Sequence, residues 1–261
     1  MFKLSHFDGL ALDGEPFCAD TSYRKRERPL AGIASGLMGG VDTWNGNRVP
    51  SGLATITQDF RIVDASYDVI RANYEALYAR VGKAGQLDRQ FFDSSGDVQH
   101  LQARLLSIQE QRDGSLPYGG FSADFGIISP YWFGAARVAS MAGAFGNSVN
   151  LVNDGNMPTH HVVITIAVTS DTLDGIGLTG GGNALSWFGS VSAGETLTIN
   201  SGTGDVRIGT TNAFNGGMGG HEDGPIFQVP VGTTPITIGT YGGSGTPECT
   251  VTFDYQDAYR L

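Results

Sequence analysis

The sequence predicts a mostly β protein with one main helix: an α+β N-terminal half followed by a β-sandwich. Three observations point there. A single segment, Ser66 to Val81, carries apolar residues at helical spacing. In the second half, short β-branched and aromatic runs alternate with turn-forming clusters at sandwich spacing. The composition also changes near residue 135: charged segments precede it, whereas 20 of the 39 glycines fall between Gly175 and Gly245. Ala, Gly and Ser dominate from Ala135 to Asn147, which sets a boundary there and two domains at 1–140 and 141–261.

Leu53 to Val63 is the first extended segment. In the helix that follows, Val69, Ile70, Tyr74, Leu77, Tyr78 and Val81 recur on one face. Asp64 or Ser66 caps its start and Gly82 ends it, since glycine enters the left-handed region without steric cost. Leu87 to Phe92 is extended. Val98 to Gln109 fits either a strand or a helix, because Leu101, Ala103 and Leu105 alternate while Leu105, Leu106 and Ile108 also line a helix face. The strand-helix-strand order lays one helix on a sheet.

The second half opens on a polar turn cluster, Asn150, Asn153, Asp154, Gly155, Asn156, Pro158 and Thr159, followed by the β-branched run His161 to Val168. Asn, Asp and Gly tolerate positive φ, and Pro158 pushes Met157 toward extended geometry. Strands are expected at Val162 to Thr169, Gly175 to Leu178, Ala184 to Phe188, Thr196 to Asn200, Asp205 to Ile208, Ile226 to Val229, Thr234 to Tyr241 and Glu248 to Tyr255. Ser201 to Gly204 joins the clearest hairpin, and a Gly-rich loop joins a second between Tyr241 and Cys249.

A net charge of −10 argues against phosphate neutralisation as a mode of binding nucleic acid. Of 16 Lys and Arg residues, only Arg137, Arg207 and Arg260 lie beyond residue 135. Cys18 and Cys249 make no metal-ligand spacing with any histidine, and their spacing leaves a disulfide open. No apolar run reaches the roughly 18 residues of a membrane span, and Met1 to Asp8 lacks the layout of a secretory signal. The expectation is a soluble protein made in a cytoplasm, with no membrane insertion.

No segment carries a convincing catalytic pattern. Gly175, Gly177 and Gly180 match GxGxxG by spacing, but Gly181, Gly182 and Asn183 follow where a helix is required, so a hairpin loop is expected. His160 or His161 with the loop of His221, Glu222 and Asp223 makes a metal site geometrically possible; solvated loop residues are the simpler expectation, and no metal or cofactor is assigned. Asp171 with Asp174, and Asp254 with Asp257, are acid pairs in turns or near the C-terminus, where carboxylates usually bond their own backbone. Trp187 and Phe188 are neighbours, so a regular strand turns one of them outward as a ligand or interface candidate.

Together these pieces resemble the distal tail proteins of long-tailed bacteriophages. The matching residues are Asn153, Gly155, Asn156, Pro158 and Thr159 before Val163 and Ile166; Phe227 to Gly232 with Ile236 beyond; and Val251 to Tyr255 with Tyr259. In the first half, Asp64 to Val81 fits the family's helix, and Gly85 to Leu87 and Ala103 to Arg104 fit its flanking strands. The Gly-rich loops Gly180 to Asn183 and Asn215 to Gly224 depart from the family pattern.

The resemblance implies a structural virion protein without catalytic residues. Its N-terminal domain forms a ring, usually a homohexamer, where the tail tube meets the tip complex, and a galectin-like sandwich projects outward. Expected partners are the tail tube protein, the tail hub or tip protein and the tape measure protein, with assembly in the host cytoplasm. DNA would pass the lumen without specific binding, which suits an acidic subunit. A closed ring needs two complementary surfaces. Arg24, Arg26 and Arg28 facing Asp59, Asp64 or Asp68 of a neighbour are the candidates for part of that contact. A second reading makes the sandwich a carbohydrate-binding module for host-surface adhesion, through Trp187, Phe188 or His221. A third, a glycan-cleaving enzyme, lacks a residue constellation.

Overall fold

The computed structural model describes residues 2–12, 17–19, 24–27, 54–62, 67–91, 97–111, 120–128, 131–214 and 226–260. The chain forms two compact units that divide between Phe133 and Gly134. Among the described residues it is mostly β with one short helix. No helix among the described residues is long and apolar enough to cross a membrane.

The first unit is an antiparallel sheet carrying the helix. β1 (Phe2–Phe7) turns through Asp8 and Gly9 into β2 (Leu10–Ala11), with φ of 48° and 73° at the two turn residues. Both values are positive, as a two-residue hairpin turn of matching twist requires. After β3 (Phe17–Ala19) and β4 (Arg24–Glu27), β5 (Ala54–Ile62) pairs with both. Helix α1 (Tyr67–Tyr78) follows, then β6 (Ala84–Phe91), β7 (Val98–Gln111) and β8 (Gly120–Ile127). The strands pair in the order β2, β1, β6, β7, β8, β5.

The ambiguous segment from Val98 is a strand. Its first half pairs with β6 and its second with β8, across a bulge between Leu105 and Ser107. Pairing on both flanks decides the question that local spacing leaves open. Leu77 of α1 is buried, and the Tyr74 ring meets Phe121 edge-on at 6.1 Å. Gly82, at φ +84°, donates its N–H to the Leu105 carbonyl at 2.7 Å and turns the chain from the helix toward β6.

The second unit is a sandwich in which two long strands belong to both sheets. Its elements are β9 (Trp132–Ala142, which begins in the first unit), β10 (Ser148–Asn153), β11 (Val162–Gly180), β12 (Asn183–Ser192), β13 (Thr196–Asn200), β14 (Asp205–Ile208), β15 (Thr211–Asn212) and β16 (Gly232–Tyr259). One sheet runs β15, β14, β13, β11, β16, β9. The other uses the far half of β11, which pairs with β12, and the near half of β16, which pairs with β10. Ile164, Ile166, Ile199 and Phe253 from the first sheet and Leu178, Trp187, Ile236 and Ile238 from the second share one core.

This arrangement corrects several sequence expectations. Val162 to Thr169 and Gly175 to Leu178 are one strand, and the GxGxxG spacing lies inside it rather than in a loop; the turn comes afterwards, at Gly181 and Gly182. Thr234 to Tyr241 and Glu248 to Tyr255 are also one strand, not a hairpin. Ser170 pairs with Glu248 and Thr172 with Ser244, so Gly245, Thr246 and Pro247 bulge out against Asp171 alone. Asp171, at φ 52°, accepts the Thr246 N–H on its carboxylate at 2.9 Å. A bulge draws on the same Gly and Asp chemistry as a turn, which is why the segment reads as a loop. Ile226 to Val229 is not a strand; Val229 makes a single bridge to Thr159. Asn150 and Asn153 lie in β10 rather than in the turn.

Candidate functional site

A dense polar cluster of the second unit surrounds the turn after β10. Asn153 is fully buried at the end of that strand. Its Nδ2 donates to the carbonyls of Met157 at 2.8 Å and Val229 at 3.1 Å, while its Oδ1 accepts the Gly155 N–H at 3.0 Å. One amide thus folds the turn and ties it to the approach of β16. Glycine is required at 155 by space, since a Cβ there would stand 2.0 Å from the Ala258 carbonyl oxygen. That oxygen accepts the N–H groups of Asn156 and Met157 at 3.0 and 3.1 Å.

The same turn grips the last residues of β16 by charge. Asp257, with its side chain 2% exposed, accepts from Arg137 Nη2 at 2.8 Å and Nε at 3.2 Å on one oxygen, and from the Asp154 N–H at 3.1 Å on the other. Arg137 also reaches the exposed carboxylate of Asp154 at 2.5 Å. Hydrogen bonding to Asp257 is the main cause that pushes the Arg137 pKa above its ordinary range, outweighing the opposing desolvation. Tyr255 donates its hydroxyl to the Val152 carbonyl at 3.1 Å and accepts the Val152 N–H at 2.8 Å. Burial pushes its pKa up, and so the phenol stays protonated. Asn153, Arg137, Tyr255 and Asp257 all bond within the chain, so the cluster is a clamp on the closing strand.

Sequence reasoning placed the turn and the closing strand separately and missed the clamp between them. A signal for half of it was present. Val251, Phe253, Tyr255 and Asp257 alternate, and the period of two puts Asp257 on the core side with the other three. A carboxylate in such a place requires a partner, and Arg137 is one of three cations available in that half. Asp254, which was weighed as a partner for Asp257, faces the opposite way and is exposed.

Trp187 and Phe188 divide as a regular strand demands. Trp187 is 1% exposed, and its Nε1 donates to the Ala213 carbonyl at 3.2 Å, which removes it as a glycan contact and makes it core. Phe188 is 51% exposed. It pairs across to Gly175, and its ring edge lies over that glycine, 3.0 Å from where a Cβ would stand. Ser186, Gly177 and Thr240 form the next row on that face. His221 lies outside the described residues, and with it the arrangement that would make a metal site with His160 or His161 geometrically possible. Among the described residues, no group of three or more His, Cys, Asp and Glu could hold a metal ion.

Cys249 is a free, buried thiol. Burial pushes its pKa up, against a lowering contact from the Tyr241 hydroxyl 3.6 Å away. Tyr241 donates that hydroxyl to the Pro247 carbonyl at 2.7 Å, and burial pushes its pKa up as well.

In the first unit, backbone register sets Arg24 opposite Thr57 and Arg26 opposite Thr55, and sets Thr57 opposite Asp124. Asp124 accepts the hydroxyls of Thr57 at 2.6 Å and Ser107 at 3.0 Å. Asp59 accepts Ser122 Oγ from the adjacent strand of its own chain at 2.5 Å. Arg28 and Asp64 lie outside the described residues, and Asp68 lies in the first turn of α1.

No protein-family model matches the sequence, and no curated protein matches it. Among solved structures, the chain is similar to the SPP1 Dit (gp 19.1) protein, described as a paradigm of the hub adsorption apparatus in phages infecting Gram-positive bacteria. The superposition has a TM-score of 0.55 at 14% identity and covers 98% of this chain and 99% of that one. Two structures of the phage P2 baseplate in its activated conformation, with Ca and with Sr, cover 96% of this chain at 10% and 11% identity, with TM-scores of 0.35. The fold of this chain is the Dit-like β-rich fold.

Proposed function

We propose that this chain is a structural protein of a long-tailed bacteriophage virion, forming the distal tail ring that joins the tail tube to the tip and host-adsorption complex. The observation that carries the reading is the correspondence with the SPP1 Dit protein over 98% of this chain and 99% of that one. A match of that extent covers both compact units and their order, which a shared sandwich alone would not produce. The formal charge of −10 supports it, since a conduit for DNA must not bind phosphates. The galectin-like character of the sandwich, the homohexamer, the tail tube, hub and tape measure partners and assembly in the host cytoplasm all belong to this proposal. So does the lack of a catalytic role.

Negative-stain images of the purified protein test it: rings with a central hole are expected, and uniform monomers at micromolar concentration overturn it. The contact is tested by Arg24→Glu with Arg26→Glu, which should lower the oligomer mass in light scattering. An unchanged mass removes these residues from the ring contact while leaving the ring itself standing.

A second reading, carbohydrate binding by the sandwich, is favoured by Phe188 alone. A half-exposed aromatic ring lying over a glycine, with hydroxyls in the next row of the same face, is the kind of surface on which a sugar ring stacks. A glycan array with the wild-type protein and Phe188→Ala decides it. Binding lost in the variant supports the reading, and a blank array for the wild type retires it.

A further inference from the structure

We draw no further inference here: the strongest candidate, the outer face of the β10–β16–β11–β12 sheet around the exposed Phe188, already grounds the second reading above, and nothing in the structure shows what covers it.

Discussion

Replacing Gly155 with alanine puts the clamp on the closing strand to its most direct test. The new Cβ would lie 2.0 Å from the Ala258 carbonyl oxygen and 2.8 Å from the Ala258 carbon and nitrogen, all of them backbone atoms. Carbon and oxygen settle near ~3.4 Å or beyond, so the end of β16 must retreat by more than ~1 Å. The Ala258 oxygen holds two N–H groups at 3.0 and 3.1 Å, and a retreat of that size stretches both past bonding range. Each lost bond costs about 1 kcal/mol net, and more where the freed donor stays buried, for a total of about 2–4 kcal/mol. At ~2–4 °C per kcal/mol for a domain of this size, the sandwich transition should fall by about 4–16 °C in calorimetry. Hydrogen exchange should rise at 154–157 and 256–260 while β6 and β7 of the other unit keep their protection. Gly242→Ala, which meets nothing within 4 Å, is the control. A Gly155→Ala protein with an unshifted midpoint and unchanged exchange would refute the reasoning, because the close approach would then carry no energetic weight.

Three further outcomes follow from the same geometry. Asp257→Ala leaves Arg137 half-buried without its main partner and should cost about 3–5 kcal/mol in urea unfolding, whereas Asp154→Ala, whose carboxylate is mostly exposed, should cost under ~1 kcal/mol; equal effects would contradict the assigned burial. The sandwich should lose stability as pH climbs through ~8.5–10 and above, because the unfolded chain ionises Cys249 and then Tyr241 and Tyr255 at their ordinary values while burial keeps all three protonated in the fold. Cys249→Ala with Tyr241→Phe should flatten that alkaline slope in unfolding midpoints measured from pH 7 to 11, and a slope as steep as wild type would exclude these two groups as its source. In a Cys18→Ser background, Cys249 should react with a disulfide reagent at pH 8 at least tenfold more slowly in the native protein than in urea, since both burial and a raised pKa withhold the thiolate; comparable rates would mean the thiol is reachable in the fold.

What the sequence revealed and what it hid follow one physical line. Patterns that repeat within a few residues were legible. The helix at Tyr67–Tyr78 follows from its 3.6-residue spacing, and β13 and β14 with their Ser201 to Gly204 turn follow from alternation and glycine. The unity of β11 and of β16 depends on partners 58 to 93 residues away, such as Thr179 with Thr237, Ser170 with Glu248 and Val162 with Tyr255, and no local window contains them. Glycine compounds the difficulty. In Gly242-Gly-Ser-Gly-Thr-Pro247 the residues suit a hairpin loop, yet strand pairing continues on both sides and leaves only Gly245 to Pro247 bulged. Of the site candidates, the Trp187 and Phe188 dilemma was visible from strand geometry, but which ring turns inward depends on Ala213 and the core beneath, which are distant in sequence.

The clamp and the two shared strands bear on one question, how a sandwich so rich in glycine is held to a single arrangement. Glycine-rich strands specify register weakly, because few side chains penalise a slip. Here β11 and β16 run side by side through both sheets, so a slip in either sheet would move residues of the other. Bulges at Asp171 and at Asp174 fix where each strand passes between sheets, since an unpaired residue cannot slide without remaking its local hydrogen bonds. The remaining freedom is fraying at the end of β16. Gly155 by its close approach, and Asn153, Arg137 and Asp257 by their hydrogen bonds, close off that end. The most conspicuous polar motif of the sequence is therefore spent on register, and a role in recognition has to come from outward residues that the fold leaves uncommitted, of which Phe188 is one.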